Sequence, residues 1–228
     1  GEYYVRVTGA NSKTVIFDSG KATLSTGANL TLVAVEQSGA TSPISLVNLT
    51  RNYLIPRSEI VDNVAQVRVV HASPDAPAVD AILEDATKVA TALTYSTASA
   101  YALTKAGPHT LTITGAGTTT PALVTSTLAL TGSTSYSVFV MGLAASPVGV
   151  TLLDSLTSPI AGNAKLRIVH ASPDTVGLDM FQDDATAAVV TGLPYKSGSG
   201  YLSVPAGVHS YKFNLTATTN AALPLQTV

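Results

Sequence analysis

Two short segments of the chain each place a histidine, a serine and an aspartate within five residues. Residues 67–75 read VRVVHASPD and residues 166–174 read LRIVHASPD. A serine nucleophile, a histidine base and an orienting aspartate together make up a hydrolase site. The two segments supply Arg68, His71, Ser73, Pro74 and Asp75 in the first copy, and Arg167, His170, Ser172, Pro173 and Asp174 in the second.

The spacing inside these segments argues against hydrolysis. His71 and Ser73 stand two residues apart in what reads as one turn, so the ring is badly placed to act as a base on an exposed nucleophile. The chain also contains no G-x-S-x-G nucleophile elbow. We therefore predict that the protein is not an enzyme and that it has no catalytic residues.

The carboxylates near these segments are the candidates for a metal site. Ca²⁺ prefers carboxylate and carbonyl oxygens, although the spacing here matches no EF-hand loop. A third carboxylate is available at Glu84, or at Asp183 in the second copy, if the fold brings it to the loop. The calcium candidates are Asp75, Asp80, Asp174 and Asp179. No other cofactor is predicted.

A structural interpretation accounts for the same residues. Ser-Pro-Asp suits a β-turn, because proline is pre-set for the second position and aspartate can bond nearby backbone amides. The histidine then packs at the end of a strand, and the arginine pairs with a carboxylate. Because the segment recurs in each copy of a repeating unit, we favour this interpretation over chemistry.

The duplication indicates a repeating unit of about one hundred residues. His71 and His170 are 99 residues apart, and residues 1–35 align without gaps to residues 107–141. The front of the chain is therefore expected to be the second half of a unit. The predicted organisation is half a repeat over residues 1–50, a linker over 51–65, a complete repeat over 66–156, a linker over 157–164, and a partial third repeat over 165–228 that lacks its last strands.

The local pattern predicts strands throughout. Segments such as EYYVRVTG, AQVRVVHA and SYSVFVMG alternate apolar and polar residues and are rich in Val, Thr, Tyr and Phe. Turn signals separate them, and residues 85–95 are the best helical candidate. The predicted fold class is all-β, with tandem antiparallel β-sandwich repeats of immunoglobulin-like type and incomplete units at both ends.

Composition narrows the class of function. Only 11% of the residues are charged and the net charge is −2, so no basic surface is available for nucleic acid or anionic lipid. The chain has no cysteine and no apolar run long enough for a membrane helix. Abundant Thr, Ser, Ala and Val with little Lys is typical of secreted β proteins. We expect an extracellular or cell-surface location.

These segments resemble a known family. VRVVHASPDAPAVD and LRIVHASPDTVGLD, with the later PAGVH-type turn, are similar to domain-of-unknown-function family 4397 of bacteria and archaea. The resemblance covers about residues 66–228, and the front segment extends it. It implies a secreted or cell-surface β-sandwich repeat protein without an established enzymatic activity. In the second copy Thr175, Val176 and Gly177 replace Ala-Pro-Ala, which leaves any role of Pro77 open.

The tyrosines of the repeats have two interpretations, and the chain also carries glycosylation sequons. Tyr95, Tyr101 and their counterparts Tyr195 and Tyr201 either stack on sugar rings or close sandwich corners with the hydroxyl on backbone, and we favour the corner role. Tyr3, Tyr4 and Tyr53 form a further group near the front. Glycosylation sequons occur at Asn29, Asn48 and Asn214.

The unfinished units suggest an assembly. An incomplete sandwich exposes unpaired strand edges, and such an edge binds a complementary strand. We expect a homo-polymer in which the front of one subunit completes the third repeat of the next, giving a filament or surface layer. The alternative is an adhesion or glycan-binding module of a longer protein. The predicted assembly residues are Leu30, Leu32, Val33, Val35, Ile44, Leu46, Phe213 and Leu215.

Overall fold

The structure of the chain is a computed structural model. It describes residues 2–24, 26–27, 29–36, 42–50, 58–60, 62–219 and 221–227. Every regular element among these residues is a β-strand, which confirms the predicted all-β class. None of the described residues belongs to a helix that could cross a membrane.

The front of the chain forms small antiparallel sheets. Its strands are β1 (Glu2–Tyr3), β2 (Arg6–Thr8), β3 (Val15–Asp18), β4 (Ala22–Thr23), β5 (Leu30–Glu36), β6 (Ile44–Thr50) and β7 (Ser58–Ile60). β1 pairs with β4, β2 pairs with β3, and a third sheet has the order β5-β6-β7. The backbone N–H of Asp18 donates to the Asp62 carboxylate at 2.9 Å, which ties β3 to the strand that follows.

The middle of the chain, which we call the central unit, is a sandwich of two four-stranded sheets. Its strands are β8 (Val64–Ala72), β9 (Val79–Leu83), β10 (Lys88–Leu93), β11 (Ala102–Lys105), β12 (Gly107–Gly115), β13 (Ala122–Leu130), β14 (Ser135–Met141) and β15 (Val148–Asp154). One sheet has the order β10-β9-β12-β13 and the other β11-β8-β14-β15. One buried apolar cluster draws on both sheets, so their inner faces pack together.

Alternating side chains determine which face of each strand enters this core. In β9, Val79, Ala81 and Leu83 are almost completely buried, while Asp80 and Ile82 between them are half-buried. In β8, Val67 and Val69 point into the same core. Arg68 and Val70 therefore lie on the outer face of their sheet, because successive side chains of a strand point in opposite directions.

One strand pair departs from the predicted antiparallel arrangement. β14 runs parallel to β8, from Ser135 beside Gln66 to Met141 beside Ala72. The chain passes through β9 to β13 after β8 and then enters β14 at the end of the sandwich where β8 begins, so the two strands share a direction. Local alternation carries no information about strand direction, which is why the pattern did not predict this pair.

The end of the chain, which we call the C-terminal unit, repeats part of this order. Its strands are β16 (Asn163–Leu166), β17 (Val169–His170), β18 (Leu178–Gln182), β19 (Val190–Leu193), β20 (Ser197–Gly198), β21 (Leu202–Pro205), β22 (Ser210–Leu215) and β23 (Ala221–Thr227). The sheet β19-β18-β22-β23 corresponds to β10-β9-β12-β13. Opposite it, β16 pairs only with β21 and β17 only with β20 among the described residues.

Some sequence predictions need correction. The helical candidate over residues 85–95 contains β10 instead, because Val89, Ala90 and Leu93 are buried in the sandwich core. The predicted linkers also contain strand: β7 and the start of β8 fall within residues 51–65, and β16 begins inside 157–164. The other predicted repeat boundaries stay predictions, and residues 51–57 lie outside the described part.

Candidate functional site

The histidine of each motif braces its own loop. We call residues 71–75 the first HASPD loop and residues 170–174 the second. His71 is fully buried, and its Nε2 lies 3.0 Å from the carbonyl oxygen of Pro77. The backbone N–H of Ser73 donates to Nδ1 at 3.3 Å. A carbonyl only accepts, so the ring proton belongs on Nε2, and neither nitrogen is free to act as a base.

The second HASPD loop repeats this brace. His170 Nε2 lies 3.0 Å from the carbonyl oxygen of Val176, and the Ser172 N–H donates to Nδ1 at 3.3 Å. The acceptor is a backbone carbonyl in both loops, so exchanging proline for valine leaves the bond intact. The role of Pro77 is therefore carried by its backbone. The predicted turns lie at residues 74–75 and 173–174.

The serine and aspartate differ between the two loops. Ser73 is fully buried, and its hydroxyl donates to the Gly142 carbonyl at 2.5 Å. Asp75 accepts the Ala144 N–H at 2.8 Å. The first loop thus holds the chain that leaves β14.

In the second loop, Ser172 and Asp174 bind no described strand end. Ser172 is exposed and accepts a hydrogen bond from the neighbouring Thr175 hydroxyl at 2.5 Å. The Asp174 carboxylate is also exposed and accepts no hydrogen bond from a described residue. The two loops therefore share the histidine brace and differ in whether they hold a strand end.

The two later aspartates fasten hairpins. Asp80 accepts the Ala92 N–H at 2.7 Å and the Gly117 N–H at 2.9 Å. Its counterpart Asp179 accepts from Gly192 at 2.6 Å and from Ala217 at 3.2 Å. These backbone hydrogen bonds lower the pKa of both carboxyl groups. The Gly115-Ala116-Gly117 segment is the turn that Asp80 holds.

The third carboxylate does not join a metal cluster. Glu84 lies 2.9 Å from His109 Nδ1, and Asp183 lies 2.9 Å from His209 Nδ1. Within the described ranges, no three His, Asp or Glu side chains are grouped closely enough to hold a metal ion. The calcium hypothesis stays a prediction, and the oxygens of Asp80 and Asp179 are already occupied by amides.

A buried carboxylate joins the central and C-terminal units. The Asp154 side chain is 1% exposed and lies at the end of β15. The Arg167 guanidinium donates to Asp154 Oδ1 at 2.6 Å, and it also donates to the Leu153 carbonyl at 2.8 Å. On the other side, the Ser137 hydroxyl donates to Oδ2 at 2.5 Å, and Arg68 lies 3.8 Å away. Both motif arginines therefore converge on one acid.

Two tyrosines also take part in this contact between the central and C-terminal units, which we call the joint. Tyr101 donates to Asp154 at 2.6 Å and lies under the Arg68 guanidinium, while Tyr201 lies under Arg167. Burial and then the Asp154 hydrogen bond and charge raise the pKa of Tyr101 to about 12. The predicted bond to backbone is therefore wrong for Tyr101, because its hydroxyl reaches a carboxylate. Tyr95 instead packs edge-on to His71, with ring centres 6.2 Å apart, and is 52% exposed.

Sequence reasoning missed Asp154, although a signal was present. It is the one charged residue of the strand VGVTLLD. A single carboxylate in an apolar strand calls for a cationic partner, and the arginine of each motif was already expected to pair with a carboxylate. What the sequence did not supply is that both arginines use the same one.

Comparison with known proteins identifies the family to which the chain belongs. A family model described as a domain of unknown function, DUF4397, matches residues 65–181 and again residues 164–228. This chain belongs to the DUF4397 family. Each match begins just ahead of a HASPD loop, so the histidine brace lies within the DUF4397 region both times. No curated protein matches the chain.

The predicted assembly residues of this DUF4397 protein occupy different environments. Leu30, Leu32, Val33 and Val35 lie in β5, at the edge of its sheet. Leu46 is 3% exposed, so it packs within its own chain, and Ile44 is half-buried beside it in β6. Phe213 and Leu215 lie in β22, which is paired on both edges. Of these predicted residues, only the β5 group lies on a strand with no second neighbour among the described residues.

The remaining surface candidates also separate by burial. Tyr3 and Tyr4 are each 51% exposed, and Tyr53 lies outside the described residues. Among the sequons, Asn29 is exposed and Asn48 is half-buried. Asn214 is 5% exposed, so its side chain is not accessible for glycosylation in the folded chain.

Asp80→Asn tests the two backbone hydrogen bonds by which Asp80 fastens its hairpins. Hydrogen bonds from Ala92 and Gly117 hold the pKa of Asp80 below its ordinary value of 3.8. A lowered pKa gives stability that is present above that value and lost as the pH falls through the folded-state pKa. We expect Asp80→Asn to lower the thermal midpoint at neutral pH and to flatten its decline below about pH 4. Equal changes from Asp184→Asn, an exposed control, would contradict the tie.

Chelation tests the calcium hypothesis. The oxygens of Asp80 and Asp179 accept backbone amides, so we expect the thermal midpoint to be the same with added Ca²⁺ and with excess chelator. A ligand that binds only the folded chain raises the midpoint, and the stabilisation grows with the logarithm of its concentration once the site is saturated. A midpoint that rises with Ca²⁺ and falls with chelator would establish a structural calcium site.

Asp154→Asn tests the joint. Removing the buried charge leaves two arginines without their counter-ion, so we expect a loss of about 2–3 kcal/mol in unfolding free energy. The pKa of Tyr101 should fall from about 12 but stay above its ordinary 10.0, because burial remains. Phenolate absorbance during a pH titration measures this change. A Tyr101 pKa that does not move would contradict the assignment.

Proposed function

We propose that this DUF4397 protein is a non-enzymatic structural protein of the cell surface or extracellular space, whose copies join head to tail by strand complementation. The open edge of β5 in one copy pairs with the open edge of β16 and β17 in the next. The observation that supports this most directly is that these two edges match a pair of strands already joined in the central unit.

The central unit supplies the template for the contact. There β14 pairs with β8 in parallel along seven residue pairs. By the sequence alignment, β5 corresponds to β14, while β16 and β17 correspond to β8. Among the described residues, β5 has β6 on one side only, and β16 and β17 have only β21 and β20. One strand type is thus open at the front and its natural partner is open at the end.

The strands at the two open edges are less buried than their counterparts in the central unit, as expected for strands without a partner on one side. β14 is buried along nearly its whole length, whereas β5 alternates between half-buried and exposed residues. β8 is mostly buried, whereas β16 is mostly half-buried. Unpaired strand edges with apolar side chains are sites where another chain adds a strand.

A contact between two different surfaces of the same protein is repeated from one copy to the next. Each copy offers β5 at one end and β16 with β17 at the other, so the contact is heterologous and extends into an open filament unless the rotation closes a ring. The strands β1 to β4 correspond to β12 and β13, whose counterparts the C-terminal unit already has. They remain tied to their own copy through β3, by the Asp18 to Asp62 hydrogen bond.

The chemistry of the motifs is consistent with a structural role. The nitrogens of both buried histidines are engaged by their own loops, which leaves no general base beside either serine. A low fraction of charged residues suits close packing between copies, and abundant Thr and Ser with little Lys favours an extracellular location. These features support the non-enzymatic and extracellular parts of the proposal.

A glycan-binding function is the second candidate, supported by one observation. A cleft of about 520 Å³ lies between the two HASPD loops and is bordered by Tyr95, Pro74 and Pro173. Tyr95 is half exposed, and an aromatic face of this kind stacks on sugar rings. If glycans bind there, Tyr95→Ala abolishes retention on a glycan array; unchanged retention would remove this candidate.

Ala34→Lys tests the assembly. Ala34 is exposed in the single chain, but its counterpart Val140 is fully buried in the central core. A lysine is therefore harmless in the monomer and unfavourable in a completed sandwich. We expect the unaltered chain to form concentration-dependent polymers by sedimentation and electron microscopy, and Ala34→Lys to remain monomeric with an unchanged thermal midpoint.

Val208→Lys is the matched control, because Val208 is 81% exposed and lies in neither strand edge. It should polymerise like the unaltered chain. Monomers of the unaltered chain at every concentration would overturn the proposal, as would equal polymerisation of Ala34→Lys.

A further inference from the structure

We infer that the second HASPD loop is a receptor for the end of β5 from another copy, and that Ser172, Asp174 and Arg167 set the register of the joined strands. This inference rests on the proposed function and adds to it which residues meet. Its partner is a second copy of this chain, presented through residues 30–36.

The first HASPD loop shows what such a receptor holds. Its serine hydroxyl binds a backbone carbonyl just past β14, and its aspartate binds an N–H two residues later. Both contacts are to backbone, so they recognise a strand end and not a particular side chain. The second loop has the same serine and aspartate in the same braced turn, where both are exposed and no described strand end is bound to them.

The sequence alignment between the repeats predicts which residues of β5 pair with which residues of β16 and β17. β14 corresponds to β5 at an offset of 106, and β8 corresponds to β16 and β17 at an offset of 99. Leu30 of one copy is then placed beside Leu166 of the next, Val33 beside Val169, and Val35 beside Ala171. The Glu36 carbonyl takes the place of the Gly142 carbonyl and accepts from Ser172. Asp174 is the counterpart of Asp75, which accepts the Ala144 N–H in the central unit.

The arginine adds a side-chain contact to this register. In the central unit Arg68 Nε donates to the Ser137 hydroxyl at 2.8 Å. The counterpart of Ser137 is Thr31, which keeps a hydroxyl at that place. Arg167 uses its two terminal nitrogens for Leu153 and Asp154. Its Nε has no acceptor among the described residues and is available for Thr31.

The second HASPD loop opens onto space that a strand end can enter. The cleft of about 520 Å³ is bordered on this side by Val169, Ala171, Ser172 and Asp174. In the central unit the corresponding residues Val70 and Ala72 are paired with Phe139 and Met141 of β14. The end of β5 would bring Val33 and Val35 to the same places, so an apolar side chain again covers each apolar position.

Engineered disulfides test the register, because the chain has no native cysteine. Directly paired residues on neighbouring strands are about 5 Å apart, within the reach of a disulfide, whereas residues shifted by two are about 8 Å apart and outside it. We expect Val33→Cys with Val169→Cys to give a ladder of covalent oligomers on oxidation. Thr31→Cys with Val169→Cys, the shifted control, should give none.

Ser172→Ala with Asp174→Ala tests the receptor. Neither side chain bonds β-strand backbone in the single chain, so the thermal midpoint of the monomer should stay unchanged. Two lost hydrogen bonds, one of them charged, should raise the concentration needed for polymerisation about tenfold or more. Asp184→Ala is the control and should leave it unchanged.

The outcomes separate the two claims. Polymers that form a ladder only with the shifted cysteine pair, or that ignore Ser172→Ala with Asp174→Ala, would overturn the receptor and leave the proposed assembly intact. An unaltered chain that never polymerises would overturn both.

Discussion

The parallel pairing of β14 with β8 is the interaction on which each complete sandwich depends. It places Val138 and Val140 against the opposite sheet, where both are fully buried, and it brings the end of β14 to the first HASPD loop. Ser73 and Asp75 then fasten that end to the turn. The C-terminal unit has the same braced turn, and no described strand of that unit lies against it.

The joint between units follows from the same strand pair. Arg68 and Arg167 lie on the outer faces of corresponding strands, because their neighbours Val67 and Val69 enter the core in the central unit. Asp154, at the end of the strand beside β14, contacts both arginines, and each arginine lies over a tyrosine ring. One buried acid with two cations costs desolvation, and the several hydrogen bonds that it accepts offset that cost. In the first copy of the motif the loop therefore holds a strand end, and in the second copy Arg167 binds the central unit.

Local features of this fold could be predicted from the sequence, and non-local ones could not. Alternation of apolar and polar residues identified the strands, and the duplicated motif indicated a repeating unit, because both are written in neighbouring residues. The strand at Lys88–Leu93 was mistaken for a helical candidate, since only the opposite sheet explains why Val89 and Leu93 are buried. Asp154 as the partner of both arginines and the burial of Leu46 depend on distant contacts in the same way. The histidine brace was predicted only in outline, because its acceptor is a backbone carbonyl six residues away.

Amide hydrogen exchange along β5 and along residues 166–171 tests the central claim most directly. Neither segment has a second partner strand in the described part of the chain, so the amides on that edge should exchange quickly in dilute protein. If copies pair through these edges, both segments become protected together as the protein concentration rises, while β9 and β12 stay protected throughout. Exchange from β5 and residues 166–171 that stays equally fast in dilute and in concentrated protein would contradict the account.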